Sequence, residues 1–177
     1  MRAHAYALAA ALCAVPALAA AQNPVSDAYR AQTERAARII TAAVDEFPAD
    51  KFGYRPTPQS MTVHEVAVHL VEDGNYWLCS HATGVAEPQR TKVDSTSSKE
   101  ALVAALRASF DFCKSSAANL TDAQLADSVE SFGPRKTTRA NMVLITVGDW
   151  EDHYSQLSNY LRLNGMLPPT AQRRGGM

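Results

Sequence analysis

A long stretch near the carboxyl end, residues 141–169, constrains the fold more than any other part of the chain. If these residues form a helix, one face of the helix is apolar except at its middle. There the face carries Asp149 and His153, which are four residues apart. Gly165 and the proline pair at 168–169 mark the helix end, since glycine can turn left-handed and proline cannot continue a helix. The sequence therefore predicts a long, core-facing last helix with the stripe Met142, Ile145, Thr146, Asp149, His153, Gln156, Leu157 and Tyr160.

The first 21 residues have the pattern of a cleaved signal peptide. Arg2 gives a positive start, an apolar run follows at 6–15, and the small residues within 17–21 (Ala-Leu-Ala-Ala-Ala) suit a signal peptidase. The apolar run is too short to span a bilayer, and Cys13 follows no lipobox-like sequence. We therefore predict cleavage before Gln22, no stable membrane insertion after cleavage, and a periplasmic or secreted protein.

Export changes the interpretation of the cysteines, because only Cys79 and Cys113 remain after cleavage. An even pair in an oxidising compartment favours a disulfide over a catalytic thiol, and this bridge would join two predicted helices. Closing such a loop stabilises a fold by roughly 3–4 kcal/mol in the chain-entropy model. Two buried free thiols are the alternative.

The formal net charge of −1 does not suggest a nucleic-acid partner.

Helical periodicity and capping signals divide the rest of the chain into further helices. The first is predicted from Val25 to about Phe47 with Ser26 as its cap. A second, over 62–81, opens with a capping box formed by Thr62 and Glu65.

Ser97 and Glu100 repeat the capping-box pattern at the start of a third helix that reaches about Ala118. Thr121 and Gln124 then predict a short helical turn before the last helix. No stretch alternates long enough to predict a strand. Residues 22–169 are therefore expected to form one all-α domain, a four-helix bundle, followed by a disordered tail at 170–177.

Three side chains are candidate ligands of one metal ion: His69 on the second helix, and Asp149 and His153 on the last. Two imidazoles and a carboxylate with open positions suit a divalent ion such as zinc, nickel, iron or manganese. The alternative is a salt-bridged pair of Asp149 and His153, with His69 merely polar and partly exposed.

Three segments carry a resemblance to a known family: TVHEVAVHLVEDGNYWLC, SFGPRKTTRANM and DHYSQLSNYLRLNGMLPP. They resemble the DinB/YfiT-like proteins, particularly exported bacterial members. The resemblance implies a four-helix bundle that holds a divalent metal with one histidine from helix two and an H-x-x-x-H pair on the last helix. Matched residue by residue, these ligands fall on His69, Asp149 and His153, so an aspartate replaces the first histidine of the pair. The extra negative charge is expected to make coordinated water less acidic and to favour harder ions such as iron or manganese.

Other polar residues have weaker claims to a role in the site. Glu72 and Asp73 lie three and four residues after His69 and would orient its imidazole, act as a base, or form a solvated face. Tyr154 and Tyr160 would supply hydroxyls to a pocket or simply pack. No catalytic acid or base is identifiable. Surface, capping or core roles explain the remaining candidates: His64, His81, Arg139, Arg162, Trp77 and Trp150.

The sequence is compatible with two functions. The first is a metal-dependent hydrolase or transferase acting on an unknown small-molecule substrate, since the resemblance includes relatives of both kinds. The second is a non-catalytic metal- or ligand-binding protein of the cell envelope, with a homodimer formed through an exposed helix face. An open cavity beside the three ligands would favour the first hypothesis, and a closed, dry site would favour the second.

Overall fold

The computed structural model describes residues 22–172, so the predicted signal peptide lies outside the described residues. Within this part no helix combines the length and apolarity needed to cross a membrane. The helices are α1 (Pro24–Glu46), α2 (Val63–His69), α3 (Tyr76–Thr83), α4 (Lys99–Ala117), α5 (Arg139–Leu163) and α6 (Pro169–Gln172).

Four helical arms form the predicted all-α bundle, because α2 and α3 run on from one another as a single arm. Both α1 and α3 pack against α4 and α5, which places α1 diagonally opposite the arm formed by α2 and α3. The buried residues of these arms form one continuous hydrophobic core. The fold class predicted from periodicity is confirmed.

The start of α1 differs from the prediction, since the helix begins at Pro24 and Ser26 is not its cap. Proline suits the first turn of a helix, where its missing N–H would have had no partner. Ser26 is buried instead, and its backbone N–H and hydroxyl each donate to Asp122 at 2.8 Å. The carboxylate of Asp122 therefore binds the amino end of α1 from a distant segment.

The arm predicted as one helix over 62–81 begins as expected but is interrupted. Thr62 and Glu65 form the predicted capping box, with the Glu65 N–H 3.0 Å from Thr62 Oγ1 and the Thr62 N–H 2.6 Å from the Glu65 carboxylate. Between α2 and α3, however, residues Leu70–Asn75 form a π-helical segment. A π-turn contains an extra residue, which changes the directions in which the side chains before and after it point.

The cap of α4 is Ser98, so the prediction of Ser97 was wrong by one residue. Ser98 Oγ accepts the Ala101 N–H at 3.2 Å, whereas Ser97 Oγ accepts the Asp94 N–H in the preceding turn. Adjacent serines give nearly the same sequence pattern, and only the local turn decides which of them caps the helix.

The short helical turn predicted after α4 is confirmed. It is a 3₁₀ helix, Asp122–Ala126, and the Thr121 N–H donates to the Gln124 side chain at 2.9 Å as in a capping box.

A small antiparallel hairpin precedes α5 and was not predicted. Its strands, β1 (Ser128–Glu130) and β2 (Lys136–Thr138), pair with Val129 opposite Thr137. The turn contains Gly133 at a φ of 69°, a conformation that favours glycine. Three-residue strands are too short to give a recognisable alternating pattern.

The crossover between α3 and α4 has neither helix nor strand but is attached to the π-helical segment. Arg90 lies 4.0 Å over the Tyr76 ring and pairs with Glu72 at 2.7 Å. The same carboxylate accepts the Val93 N–H at 2.9 Å.

The carboxyl end of α5 stops as predicted, with Gly165 at a φ of 75°. The tail 170–177 was predicted to be disordered, but residues 170–172 belong to α6, which docks on the bundle, and residues 173–177 lie outside the described part of the chain. The Tyr154 hydroxyl donates to Thr170 Oγ1 at 2.8 Å, and Gln172 donates to Glu46 of α1 at 2.9 Å. The polar composition of the tail predicted disorder and gave no sign of these hydrogen bonds.

The predicted disulfide between Cys79 and Cys113 is present and joins α3 to α4 across 34 residues. Both cysteines are fully buried in the core. The alternative of two free thiols was therefore wrong.

Candidate metal centre

Helix α5 carries the predicted stripe into the core and places Asp149 and His153 one turn apart on it. Apolar or hydrogen-bonded residues of the same stripe, among them Met142, Thr146 and Leu157, are fully buried. The side chains of Asp149 and His153 are only 18% and 10% exposed, so two ionisable groups lie close to the core. Such burial is costly without a partner for the charge.

His69, the last residue of α2, meets this pair from the neighbouring arm. Its Nε2 lies 3.4 Å from Asp149 Oδ1, and the Nε2 of His153 lies 3.5 Å from the same oxygen. One ligand atom from each of the three residues lies within 4.8 Å of the other two. The three residues singled out from the sequence therefore converge, as expected.

The π-helical segment leaves room for the carboxylate of Asp149 at Gly74. A Cβ at that position would lie 3.2 Å from Asp149 Oδ2 and 3.4 Å from the backbone oxygen of His69. Asp149 Oδ2 is itself buried without a hydrogen-bond partner among the described residues. A buried carboxylate oxygen with no donor is costly, and a cation would relieve that cost.

Asn75 anchors the π-helical segment to two neighbouring helices. Its side-chain oxygen accepts the indole N–H of Trp150 on α5 at 2.7 Å, and its amide donates to Ser109 on α4 at 2.8 Å. All three side chains are buried, so the register of the segment that holds Gly74 is fixed by hydrogen bonds within the core.

A chain of hydrogen bonds surrounds His153 on the side away from Asp149. Its Nδ1 lies 3.1 Å from Gln156 Oε1, and Gln156 Nε2 donates to the Tyr160 hydroxyl at 2.8 Å. The Tyr160 hydroxyl in turn donates to the backbone carbonyl of Met61 at 2.9 Å. Sequence analysis placed Gln156 on the stripe but gave it no role.

His69 has a looser outer contact. Its Nδ1 is 3.7 Å from Asp73 Oδ2, which is longer than a hydrogen bond, and the Asp73 side chain is 79% exposed. Asp73 is therefore a solvated residue that lies near the imidazole without holding it.

The two α5 ligands influence each other's protonation. Burial raises the pKa of Asp149, but hydrogen bonds and charge from His153 and His69 outweigh it and hold the pKa at about 2. Burial lowers the pKa of His153, yet its contacts with Asp149 and Gln156 prevail and raise the pKa above the ordinary value. Without a metal, Asp149 and protonated His153 therefore form an ion pair in mildly acidic solution.

A surface cavity of about 230 Å³ reaches the site at His69. Of the three converging residues only His69 lines it, so access to the site is from the α2 side. Its walls also include apolar atoms of Met61 and Val68 and the polar side chains of Glu65 and Asp73. This volume lies below the range of about 300–1,000 Å³ typical of ligand pockets, so the cavity would hold a very small molecule or one end of a larger one.

The remaining candidates serve the fold. Glu72 pairs with Arg90 of the crossover, and Arg139 pairs with Asp127 before α5. Arg162 donates to the Ser158 carbonyl within its own helix. The imidazoles of His64 and His81 contact the Ser97 and Trp77 carbonyls, respectively, and Trp150 packs in the core.

Sequence reasoning missed Gly74 and Asn75, although glycine followed by asparagine is unusual inside a helix and was the available signal.

The donor set fits a divalent ion. Metal–ligand bonds of about 2.0–2.2 Å place two ligands of one ion about 3–3.5 Å apart, and the two contacts of Asp149 Oδ1 with the imidazoles agree with this. The three ligand atoms together span up to 4.8 Å, so the imidazoles would have to approach each other when an ion binds. The buried Oδ2 without a donor supports the same interpretation.

Comparison with known proteins identifies relatives of the same architecture. The model of the DinB family matches residues 23–175. No curated protein matches the chain.

Two solved structures share the fold. A DinB-like protein from Bacillus subtilis superposes with a TM-score of 0.63 at 17% identity, covering 78% of this chain and 92% of that one. A DinB-like protein from Bacillus cereus gives a TM-score of 0.65 at 18% identity, covering 81% of this chain and 95% of the other. These likenesses extend over most of the bundle.

Proposed function

Because this chain belongs to the DinB family, we propose that it binds a divalent metal ion through His69, Asp149 and His153. We propose further that it is a metal-dependent hydrolase or transferase acting on a small molecule. The observation that carries the proposal is the convergence of the three donors from two arms of the bundle onto one point. The alternative of a bare salt bridge leaves Asp149 Oδ2 buried without a partner.

The donor set narrows the choice of metal and chemistry. Two imidazoles and one carboxylate suit zinc, nickel, iron or manganese, and the carboxylate moves the preference toward the harder ions iron and manganese. When bound, such an ion supplies a Lewis acid that activates water or a thiol for attack.

The three ligands would have different roles in the site. Asp149 supplies the negative charge that partly neutralises the cation, and its neighbour His153 is held almost out of solvent. His69 borders the cavity of about 230 Å³, through which a substrate would approach. This open side favours the enzyme over the closed, non-catalytic site considered as its alternative.

Elemental analysis of protein purified without chelator or a nickel affinity tag tests the metal site. We expect about one equivalent of a transition metal in the wild type, and its loss in His69→Ala and His153→Ala. His81→Ala is the matched control, because it removes an imidazole from the same arm but not from the site. Wild-type protein free of metal, or a full complement in the His153 variant, would refute the proposal.

Replacing Asp149 by histidine tests the role of the carboxylate as a ligand. We expect Asp149→His to tighten zinc binding by at least tenfold, because it restores a set of three imidazoles. Competition with a chromophoric chelator measures the change, with the exposed Asp152→His as a control. Equal or weaker zinc binding would count against Asp149 as a ligand.

We also propose that the protein is exported and oxidised. The amino-terminal pattern of residues 1–21 and the buried disulfide both support this. Cell fractionation and amino-terminal sequencing should find the protein outside the cytoplasm, beginning at Gln22. An intact amino terminus in the cytoplasmic fraction would contradict export.

A further inference from the structure

We propose that Gln156 and Tyr160 are positioning residues that select one tautomer of His153. They hold its neutral imidazole with the proton on Nδ1, so that the Nε2 lone pair faces Asp149. The inference rests on the function proposed above in one respect, since this lone pair would bind the metal ion. The tautomer itself is a property of the metal-free protein.

The direction of the hydrogen bonds follows from a backbone carbonyl at the end of the chain of contacts. The Met61 carbonyl can only accept, so the Tyr160 hydroxyl, 2.9 Å away, must donate to it. Because the hydroxyl has only one proton, it must accept the hydrogen bond from Gln156, which is 2.8 Å away. The NH₂ group of the Gln156 amide therefore faces Tyr160.

The orientation of Gln156 then determines the state of the imidazole. With its NH₂ group facing Tyr160, the Gln156 oxygen must face His153 Nδ1, 3.1 Å away. An oxygen acceptor 3.1 Å away requires a proton on Nδ1, whereas Asp149 Oδ1 lies 3.5 Å from Nε2, beyond the usual length of a hydrogen bond. The neutral ring therefore keeps its proton on Nδ1 and has none on Nε2. A metal ligand needs this unprotonated nitrogen.

Packing keeps the three members of this relay, Met61, Gln156 and Tyr160, in place. The Tyr160 ring is buried and makes an edge-on contact with Tyr54, with the ring centroids 5.7 Å apart. Met61 directly precedes Thr62, the cap of the helix that carries His69. The relay therefore connects both ligand-bearing arms of the bundle.

Among the described residues, the Nδ1 of His69 has no buried hydrogen-bond acceptor like Gln156. Asp73 lies 3.7 Å from His69 Nδ1 and is largely exposed, so it does not impose a tautomer by a buried hydrogen bond. The Nε2 of His69 instead contacts Asp149 Oδ1 at 3.4 Å, so in the metal-free protein we expect the Nδ1-protonated tautomer to be selected at His153 but not at His69.

Nitrogen NMR of the histidine rings tests the proposal directly. Chelated, ¹⁵N-histidine-labelled protein is measured at a pH where the rings are neutral. Wild-type His153 should show a protonated Nδ1 and an unprotonated Nε2, and Gln156→Ala should give a mixture of tautomers. Gln156→Glu, which keeps an oxygen acceptor, should restore the wild-type signature. An effect on folding alone would not produce this pattern.

Tyr160→Phe tests the contribution of the Tyr160 hydroxyl, and Tyr154→Phe is its matched control. In Tyr160→Phe the amide of Gln156 is free to rotate, so a partial shift toward the other tautomer is expected. Tyr154→Phe removes a hydroxyl from the same helix that contacts Thr170 instead, and should leave His153 unchanged. If Gln156→Ala does not fold, Gln156→Glu and Tyr160→Phe still decide the question.

Zinc affinity provides the second readout. Loss of an outer hydrogen-bond partner typically weakens metal binding about 10–100-fold, so we expect this loss in Gln156→Ala and near-wild-type affinity in Gln156→Glu. The proposal is overturned if wild-type His153 carries its proton on Nε2, if Gln156→Ala leaves the tautomer unchanged, or if both Gln156 variants lose zinc equally. A correct tautomer pattern in a wild type that binds no zinc would refute the proposed function and leave the relay standing.

Discussion

At the scale of single residues, Asp149 gives the site its particular character. A carboxylate between two imidazoles can bind either a cation or a proton shared with His153, and both imidazole Nε2 atoms lie within 3.5 Å of its Oδ1. Metal and protons therefore compete for the same atoms.

The ion pair within the metal-free site predicts how stability depends on pH. The pKa of Asp149 falls from 3.8 to about 2 on folding, so its contribution is complete above pH 4 and is lost as the pH falls toward 2. The pKa of His153 is raised above 6.5, so its contribution is complete below that pH and is lost as the pH rises through the folded value. The pair therefore stabilises most between about pH 4 and 6.5.

Asp149→Asn should accordingly destabilise the chelated protein by about 2 kcal/mol near pH 5, and by less at pH 2 or pH 9. Denaturant unfolding across this range measures the difference. Asp152→Asn, an exposed change on the same helix, should show a much smaller maximum, because the charge of Asp152 contributes least to the raised pKa of His153. A difference that is constant with pH would refute the ion pair.

The ligands could be predicted from the sequence, but their supporting contacts could not. Asp149 and His153 are linked by helical spacing, His69 was a candidate by its place on the second helix, and the family resemblance supported the set of three. The relay depends on a hydrogen bond between Tyr160 and Met61, which are 99 residues apart. A contact of that separation with a backbone carbonyl leaves no local pattern.

At the scale of elements, the π-helical segment is the feature that shapes the site. It begins directly after His69 and contains Gly74, which faces Asp149 Oδ2, and Asn75, which anchors the segment in the core. Periodicity predicted an uninterrupted helix because an inserted residue barely disturbs an apolar pattern this short. Capping boxes at Thr62 and Thr121 were predictable since they are local.

Gly74→Ala should weaken metal binding without loss of stability. The new Cβ would lie 3.2 Å from Asp149 Oδ2 and displace the carboxylate, while alanine favours helical backbone by about 0.5–1 kcal/mol. We expect zinc affinity to fall about tenfold, a typical effect of disturbing the surroundings of a ligand.

Gly148→Ala is the matched control for that change. It adjoins Asp149 in the sequence, but no atom lies within 4 Å of its added Cβ, so stability should rise slightly and zinc affinity should stay unchanged. Equal zinc affinities in the two variants would show that Gly74 has no bearing on the carboxylate.

At the scale of the whole molecule, the disulfide and the candidate metal centre lie at different helix contacts. Cys79 and Cys113 join α3 to α4, whereas the three ligands lie between α2 and α5. The bundle and its disulfide could be predicted because helical stripes and cysteine usage are strong signals. The hairpin was not predicted because its strands have only three residues each, and α6 was not predicted because it depends on hydrogen bonds to the distant residues Tyr154 and Glu46.

Replacing both cysteines by alanine should lower the free energy of unfolding by about 3–4 kcal/mol, because the unfolded chain regains the freedom that the bridge removed. Denaturant unfolding of the double variant against the oxidised wild type measures the loss. Zinc affinity should fall by about threefold or less, because the bridge touches none of the three ligands and meets the π-helical segment through the contact of Cys113 Sγ with the Asn75 carbonyl at 3.4 Å. A loss below about 1 kcal/mol would contradict this role of the bridge.

The attachment of the crossover between α3 and α4 affects how the protein would withstand proteases. A connection without helix or strand is ordinarily the first place to be cut. Here Arg90 covers Tyr76 and pairs with Glu72, and the Val93 N–H binds the same carboxylate. A protease would have to break these bonds to engage the backbone near Arg90, so nicking there would report on opening of the π-helical segment that borders the candidate metal centre.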